Sequence, residues 1–436
     1  MRFLFVSIQG FESDFDGRVG AVLRGLGHDV EHLTASRLAA RRLRRAGEQA
    51  VALQELLDEL PPATLDDRAR IEDEYGLRRL ADLYGADSAS DRLASEHADA
   101  RALAHVLAVE QAFDRTRPDI VVPEVGRELI RTVAHRVALR RGVRTFFLFY
   151  TIFPRPLRLY ENTMQRPIVP PGDVRELSAA EIEEVERFRD EFVARDAPIR
   201  PHRRFGLTLR RVRRLVSYSL ARLGVDRDND YLHPLHWTRE IVAGALRSRL
   251  ARSVYRDLEP GRRYVYFPLH DAADYKIRQL VPHLADQEEV ARRLAAALPE
   301  GIELVVKEHP LSIGRNPLSV LRRLARAPSI RVVAPRTSTH RLIAGAEGVA
   351  VISSTVGLEA LLHGKPVLTL GVPFYAGYGL TVDVNGLDEA DAGVEALLRF
   401  RPDERRTLEF LHAAMRACRA GAPVLVDDSD ANAQVL

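Results

Sequence analysis

Val349-Ala350-Val351-Ile352-Ser353-Ser354-Thr355-Val356-Gly357-Leu358-Glu359-Ala360-Leu361-Leu362-His363-Gly364-Lys365-Pro366-Val367-Leu368-Thr369-Leu370 is the stretch on which the fold turns. Val349 to Ile352 is a short apolar run that ends on three hydroxyls. Val356 to His363 has the composition and length of a helix, His363-Gly364-Lys365-Pro366 is a turn, and Val367 to Leu370 is a second apolar run. Short apolar runs on either side of a helix read as parallel strands joined by a crossover.

The same alternation extends outward. Upstream, the pattern predicts strands at Val265 to Phe267, Glu303 to Lys307 and Ile330 to Val333, with helices at Glu288 to Ala297, Pro317 to Ala325 and Thr339 to Ala346. The N-terminal part repeats it: Phe3 to Ile8, a helix Val19 to Leu26, Asp29 to Leu33, then Ile120 to Val122, a helix Leu129 to Arg140 and Arg144 to Phe149. Ala35 to Ala112 reads as largely helical, with turns at Pro61-Pro62 and Gly85. The expected fold is α/β, with two Rossmann-like doubly wound domains. The expected organisation is an N-terminal domain over 1–155, a connecting helical region over 156–258, a C-terminal domain over 259–400, and a final helix and tail over 401–436, frayed from Asp427 onward.

Composition narrows the class. A chain of 436 residues with 46% apolar content suits two domains, and no run of roughly 18 apolar residues spans a bilayer. The first ten residues read as a strand running into a glycine turn, not as a signal peptide, so a cytoplasmic location is expected. A single cysteine, Cys418, excludes an intrachain disulfide and a thiolate cluster. Net charge is only +3, and lysine occurs only at Lys276, Lys307 and Lys365. Arginine concentrates in an acid-free stretch, Arg200 to Arg222, whose Leu and Val spacing suits an amphipathic helix. A solvated helix face and a contact with an anionic membrane are both open readings there. A nucleic-acid role lacks interleaved aromatics beyond Phe205 and Tyr218.

In an open parallel sheet, ligands bind beyond the carboxyl ends of the strands. Lys307-Glu308-His309-Pro310 lies at one such end, and Pro310 keeps His309 out of the α region. That imidazole either meets a phosphate or caps a turn. Ser353-Ser354-Thr355 leads into a helix start, where hydroxyls and free amides suit an anion; Gly357 allows close approach, and Glu359 is a spare carboxylate for a ribose. The competing reading is that Ser354 or Thr355 merely caps the helix. Phe267-Pro268-Leu269-His270-Asp271 is a third polar end. In the N-terminal domain the acidic loop with Glu12, Asp14 and Asp16, together with Glu124, supplies candidate bases or nucleophiles for an anomeric carbon, unless these are solvated loop carboxylates. Asp226-Arg227-Asp228 has metal-motif spacing, read as chance.

Tyr266-Phe267-Pro268-Leu269-His270, Lys307-Glu308-His309-Pro310, Ser353 to Leu361 and Gly364-Lys365-Pro366-Val367, in this order, resemble the bacterial capsule polysaccharide biosynthesis proteins. These are GT-B-type glycosyltransferases, including enzymes that transfer 3-deoxy-manno-octulosonic acid from a CMP-activated donor to a lipid acceptor. The resemblance implies two domains facing across a cleft. It implies that His309, Pro310 and the Ser353–Thr355 hydroxyls hold nucleotide and phosphate, with Glu359 near the ribose and His270, Lys307, Glu308 and Gly357 in the same motifs. It implies transfer without metal or other cofactor, and a polysaccharide or glycolipid acceptor reached at the inner face of the cytoplasmic membrane. A nucleotide-sugar 2-epimerase of the same fold and a non-catalytic assembly or export partner are the alternatives. Where relatives carry Pro-Glu after the Leu-His pair, this chain has Ala272-Ala273-Asp274.

Overall fold

The computed structural model describes residues 1–165, 167–195, 209–231 and 234–436. It divides into two compact units: Met1–Met164 with Leu207–His236 and Cys418–Leu436, and Gln165–Gly206 with Trp237–Ala417.

The first unit is built on six strands: β1 Arg2–Ser7, β2 Asp29–Thr34, β3 Gln49–Ala52, β4 Ile120–Pro123, β5 Arg144–Tyr150 and β6 Leu157–Glu161. Their order across the sheet is β3-β2-β1-β4-β5-β6, parallel except for the antiparallel β5–β6 edge. The second unit repeats the plan with β7 Arg263–Pro268, β8 Ile302–Lys307, β9 Ile330–Val333, β10 Gly348–Val351, β11 Val367–Thr369 and β12 Val382–Asp383. Read from the other edge, its order is β9-β8-β7-β10-β11-β12, all parallel. Helices on both faces bury these strands, which is why β10 and the inner part of β8 are apolar on successive residues and not on alternate ones. Each unit has its own core: Leu4, Val6, Leu33, Val106, Val121 and Val133 in the first, Val265, Phe267, Leu304, Val306, Ala350 and Leu368 in the second.

Strand order reverses between β1 and β4 in the first unit, and between β7 and β10 in the second. At such a switch point the crossover helices leave in opposite directions, and a crevice opens beyond the carboxyl ends. The functional reading rests on these two places.

Two local expectations are corrected, and a third stretch gains a structural role. The acidic loop is helix: Gly10–Gly25 starts well before Val19, because Glu12 turns back to accept the amides of Ile8 and Gln9 at 2.9 and 3.0 Å. The tail is not frayed: Ser429 accepts the Asn432 amide at 3.2 Å, starting the helix Asp430–Val435, and Ala433 packs with Phe5, Phe15 and Val424. The Asp226-Arg227-Asp228 stretch is structural, since buried Asp226 accepts from Ser36 Oγ at 2.7 Å and the Leu38 amide at 3.2 Å, tying the segment to the start of helix Arg37–Arg45. The basic stretch is helical over Leu209–Leu223, while Arg203 and Arg204 lie outside the described residues.

Candidate functional site

In the second unit, β7 runs out through Pro268 and Leu269 to His270, and β10 runs out to Ser353. The backbone N–H of Ser353 donates to His270 Nε2 at 3.2 Å, so the imidazole bridges the switch point. Gln287 fixes the His270 backbone, accepting its amide at 2.7 Å. Burial pushes the imidazole down to about 4, so it is neutral at physiological pH and Nε2 is an acceptor. His270 therefore holds the Ser353 loop in place. His309, past the end of the neighbouring β8, is near enough for its charge to depress His270 further.

The hydroxyl triplet divides its work. Ser353 is buried, and a side chain on Gly371 would stand 2.6 Å from its Oγ. Ser354 Oγ accepts the Val356 amide at 3.2 Å. Thr355 is the N-cap of helix Val356–Leu362, yet its side chain makes no capping bond. The helix has only seven residues, so individual N–H and O–H groups at this end matter more than its dipole. Gly357 is required for a reason other than ligand approach: a Cβ there would stand 2.0 Å from Tyr375 Oη, which donates to the Ser354 carbonyl at 2.6 Å.

Two of the motif's charged residues turn inward. Lys307, 4% exposed, donates Nζ to the Thr337 carbonyl at 3.0 Å and to Thr339 Oγ1 at 2.5 Å, and burial lowers it to about 8. Glu308 is buried, accepting from Tyr255 Oη and from Asn316 Nδ2, the latter at 2.7 Å. Glu359, buried on the first turn of its helix, is raised to about 7 by desolvation, with Lys307 as the opposing charge. Pro310 opens a single 3₁₀ turn, Pro310–Ser312, in which the Ser312 amide donates to the His309 carbonyl at 2.8 Å.

The first unit's switch point carries the carboxylates. Helical periodicity puts Glu12 and Asp16 on one buried face, whereas Asp14 faces outward, 3.7 Å from exposed Arg42. Glu12 Oε2 meets Arg131 Nη2 at 2.9 Å, and Arg131 Nη1 reaches Glu128 at 3.2 Å. Glu124, one residue past β4, is buried; desolvation first, then Glu12, raise it to about 7 against the pull of Arg131 and of the Val424 and Val125 amides. Desolvation and the Glu124 and Glu12 charges also raise Asp16 well above the carboxylate range. The structure thus gathers Glu12, Asp16 and Glu124 around Arg131 and leaves Asp14 apart. Sequence reasoning passed over Arg131; its signal was a cation among Leu129, Ile130, Val133 and Val137 on the apolar face of Leu129–Arg140.

Two doubly wound domains with polar switch points place this chain in the GT-B-like class. Residues 209–401, somewhat under half of the chain, match the model of the capsule polysaccharide biosynthesis protein family, and in this region the chain is similar to that family. Among characterised relatives, Protein FixF of Sinorhizobium fredii (strain NBRC 101917 / NGR234) is 35% identical over 159 residues, 36% of this chain and 37% of FixF. The capsule polysaccharide modification protein LipA of Neisseria meningitidis serogroup B (strain ATCC BAA-335 / MC58) is 33% identical over 81 residues, 19% of this chain and 12% of LipA. The matched regions therefore span about a third of FixF and about an eighth of LipA. Among solved structures, KpsC of Thermosulfurimonas dismutans, beta Kdo 2,7 transferase, aligns with a TM-score of 0.35 and 19% identity, over 70% of this chain and 79% of that one.

Proposed function

We propose that this chain transfers a sugar from a nucleotide-activated donor to a capsular or other surface polysaccharide, or to its lipid-linked acceptor at the inner face of the cytoplasmic membrane. CMP-3-deoxy-manno-octulosonic acid is the donor that the motif resemblance favours. The observation that carries the reading is the bridge between His270 and Ser353 at the second unit's switch point. It fixes the hydroxyl loop at the place where an open α/β sheet takes its ligand, with His309 beside it. In this reading His309, Ser354 and Thr355 meet the donor's phosphate, and Glu359 lies toward the ribose. Lys307, Glu308, His270 and Gly357 shape the rim without touching the donor. Helix-start amides and hydroxyls stabilise a departing nucleotide electrostatically, with no metal needed.

In the first unit, Glu124 is the carboxylate best suited to take a proton from the attacking acceptor hydroxyl. A group poised near 7 is populated in its basic form at neutral pH and still strong enough to accept a proton. Glu12 is committed to Arg131, and Asp14 to the surface.

The test is a thermal-shift panel with CMP, UDP, GDP and dTDP. Ligand at 100 times its dissociation constant adds about 2.7 kcal/mol to the folded state, which is readily seen. No shift with any of the four overturns donor binding. Product analysis with the nucleotide sugar of the base so identified then decides the chemistry. A transferase releases nucleotide only when acceptor is present, an epimerase returns an isomerised nucleotide sugar, and a non-catalytic partner binds without turnover.

A further inference from the structure

From Trp237 onward the helix Pro234–Ala251 belongs to the second unit, and the contacts among its described residues lie on one face. Gly244 packs so closely on Gly314 that a Cβ on Gly314 would stand 2.1 Å from the Gly244 carbonyl oxygen. Arg247 Nε donates to the Gly314 carbonyl at 2.7 Å, and Ala251 packs with Val254 and Leu321. On the opposite face Val242, Leu246 and Leu250, at successive fourth positions, are 65%, 59% and 47% exposed. Arg239 and Arg249 fall in the same sector, are exposed, and form no ion pair among the described residues. The helix's one acid, Glu240, lies on the other side, where it pairs with Arg247 at 3.0 Å.

Helix Leu209–Leu223 independently repeats the pattern. Val216, Leu220 and Leu223 are exposed on one stripe, with exposed Arg213 beside them and no acid anywhere in the helix. Bare aliphatic stripes attended only by cations are the composition of an interfacial helix: the apolar face enters the boundary between headgroups and acyl chains, and the guanidinium groups meet anionic headgroups. A second copy of this chain would instead bring cation against cation.

We infer that the Pro234–Ala251 helix docks the protein on an anionic lipid surface through Val242, Leu246, Leu250, Arg239 and Arg249. This gives the proposed peripheral location its surface, and in that respect it rests on the reading above. Vesicle binding is measured without any nucleotide sugar, so failure here leaves donor binding standing, and failure of donor binding leaves this inference standing.

The experiment sediments the full chain with vesicles of phosphatidylglycerol and phosphatidylcholine, or of phosphatidylcholine alone, at low and high salt. Two variants are compared: Val242→Ser/Leu246→Ser/Leu250→Ser, and Arg239→Gln/Arg249→Gln. All substitutions are on exposed positions, and thermal melting verifies that each variant is folded. The wild type is expected to bind the anionic vesicles in low salt, and each variant to lose about tenfold or more in partition. High salt should bring the wild type down to the level of the Arg→Gln variant. Absence of wild-type binding, or binding by either variant equal to that of the wild type, overturns the inference. So does a dimer in light scattering that the serine variant converts to monomer, which would assign the face to a second copy.

Discussion

His309 stands just past β8, on a rim where it supports little of the core, so its removal should cost binding and not folding. A charge-assisted bond to phosphate is worth about 1.5–3 kcal/mol, and His309→Ala should therefore weaken nucleotide affinity on the order of tenfold to a hundredfold with melting unchanged. Calorimetric titration with the nucleotide found in the thermal-shift panel checks this, and unchanged affinity would assign His309 to the turn. Glu124 makes the opposite kind of prediction. Its folded carboxyl sits near 7, above the ordinary 4.5, so the folded state holds a proton that the unfolded chain has released between those values. The stability it contributes is full below about 4.5 and is lost as pH rises through about 7. Glu124→Gln should match the wild type near pH 4.5 and exceed it at pH 8 by up to about 3 kcal/mol, read from urea melts at both pH values. If Glu124 is the base, kcat/KM rises through about pH 7 in the wild type, and the rise disappears in the variant.

Among the elements, the loop from β10 into helix Val356–Leu362 is packed from behind by Tyr375. Gly357→Ala would drive a methyl into the Tyr375 ring and hydroxyl, costing about 1–3 kcal/mol by overpacking. The second unit should then melt several degrees lower, and nucleotide binding should weaken because the Ser354 carbonyl that Tyr375 holds is displaced. Normal melting of Gly357→Ala would show that the ring yields freely. This element also marks how far the sequence could be read. Its strand, turn and helix were legible because parallel strands buried on both faces are unbroken apolar runs, and the same holds for β1, β4, β7 and β8. β3, β6 and β12 escaped: Gln49–Ala52 and Val382–Asp383 are too short to show a period, and Leu157–Glu161 is an antiparallel edge with Arg158 and Glu161 in it. The rim residues were legible as strand ends, but their partners were not. That Lys307 would turn inward to the Thr337 carbonyl, and that Tyr375 would need Gly357, depend on segments folded in from elsewhere in the chain.

At the scale of the whole molecule, two units with separate cores should not unfold as one. Differential scanning calorimetry is expected to resolve two transitions, and nucleotide should raise the one belonging to the second unit by linkage, leaving the other nearly unmoved. A single transition displaced as a whole by ligand would show instead that the units are energetically one. The route of the chain adds something further. Cys418–Leu436 belongs to the first unit, where Val424 and Ala433 complete the cluster with Phe5 and Phe15, and the Val424 amide reaches Glu124. On the ribosome, therefore, the unit made first is finished last. Its apolar patch at Phe5 and Phe15, and the carboxylate that needs the Val424 amide, must wait until the entire second unit has been translated, leaving a newborn chain with its second unit folded before the first can close.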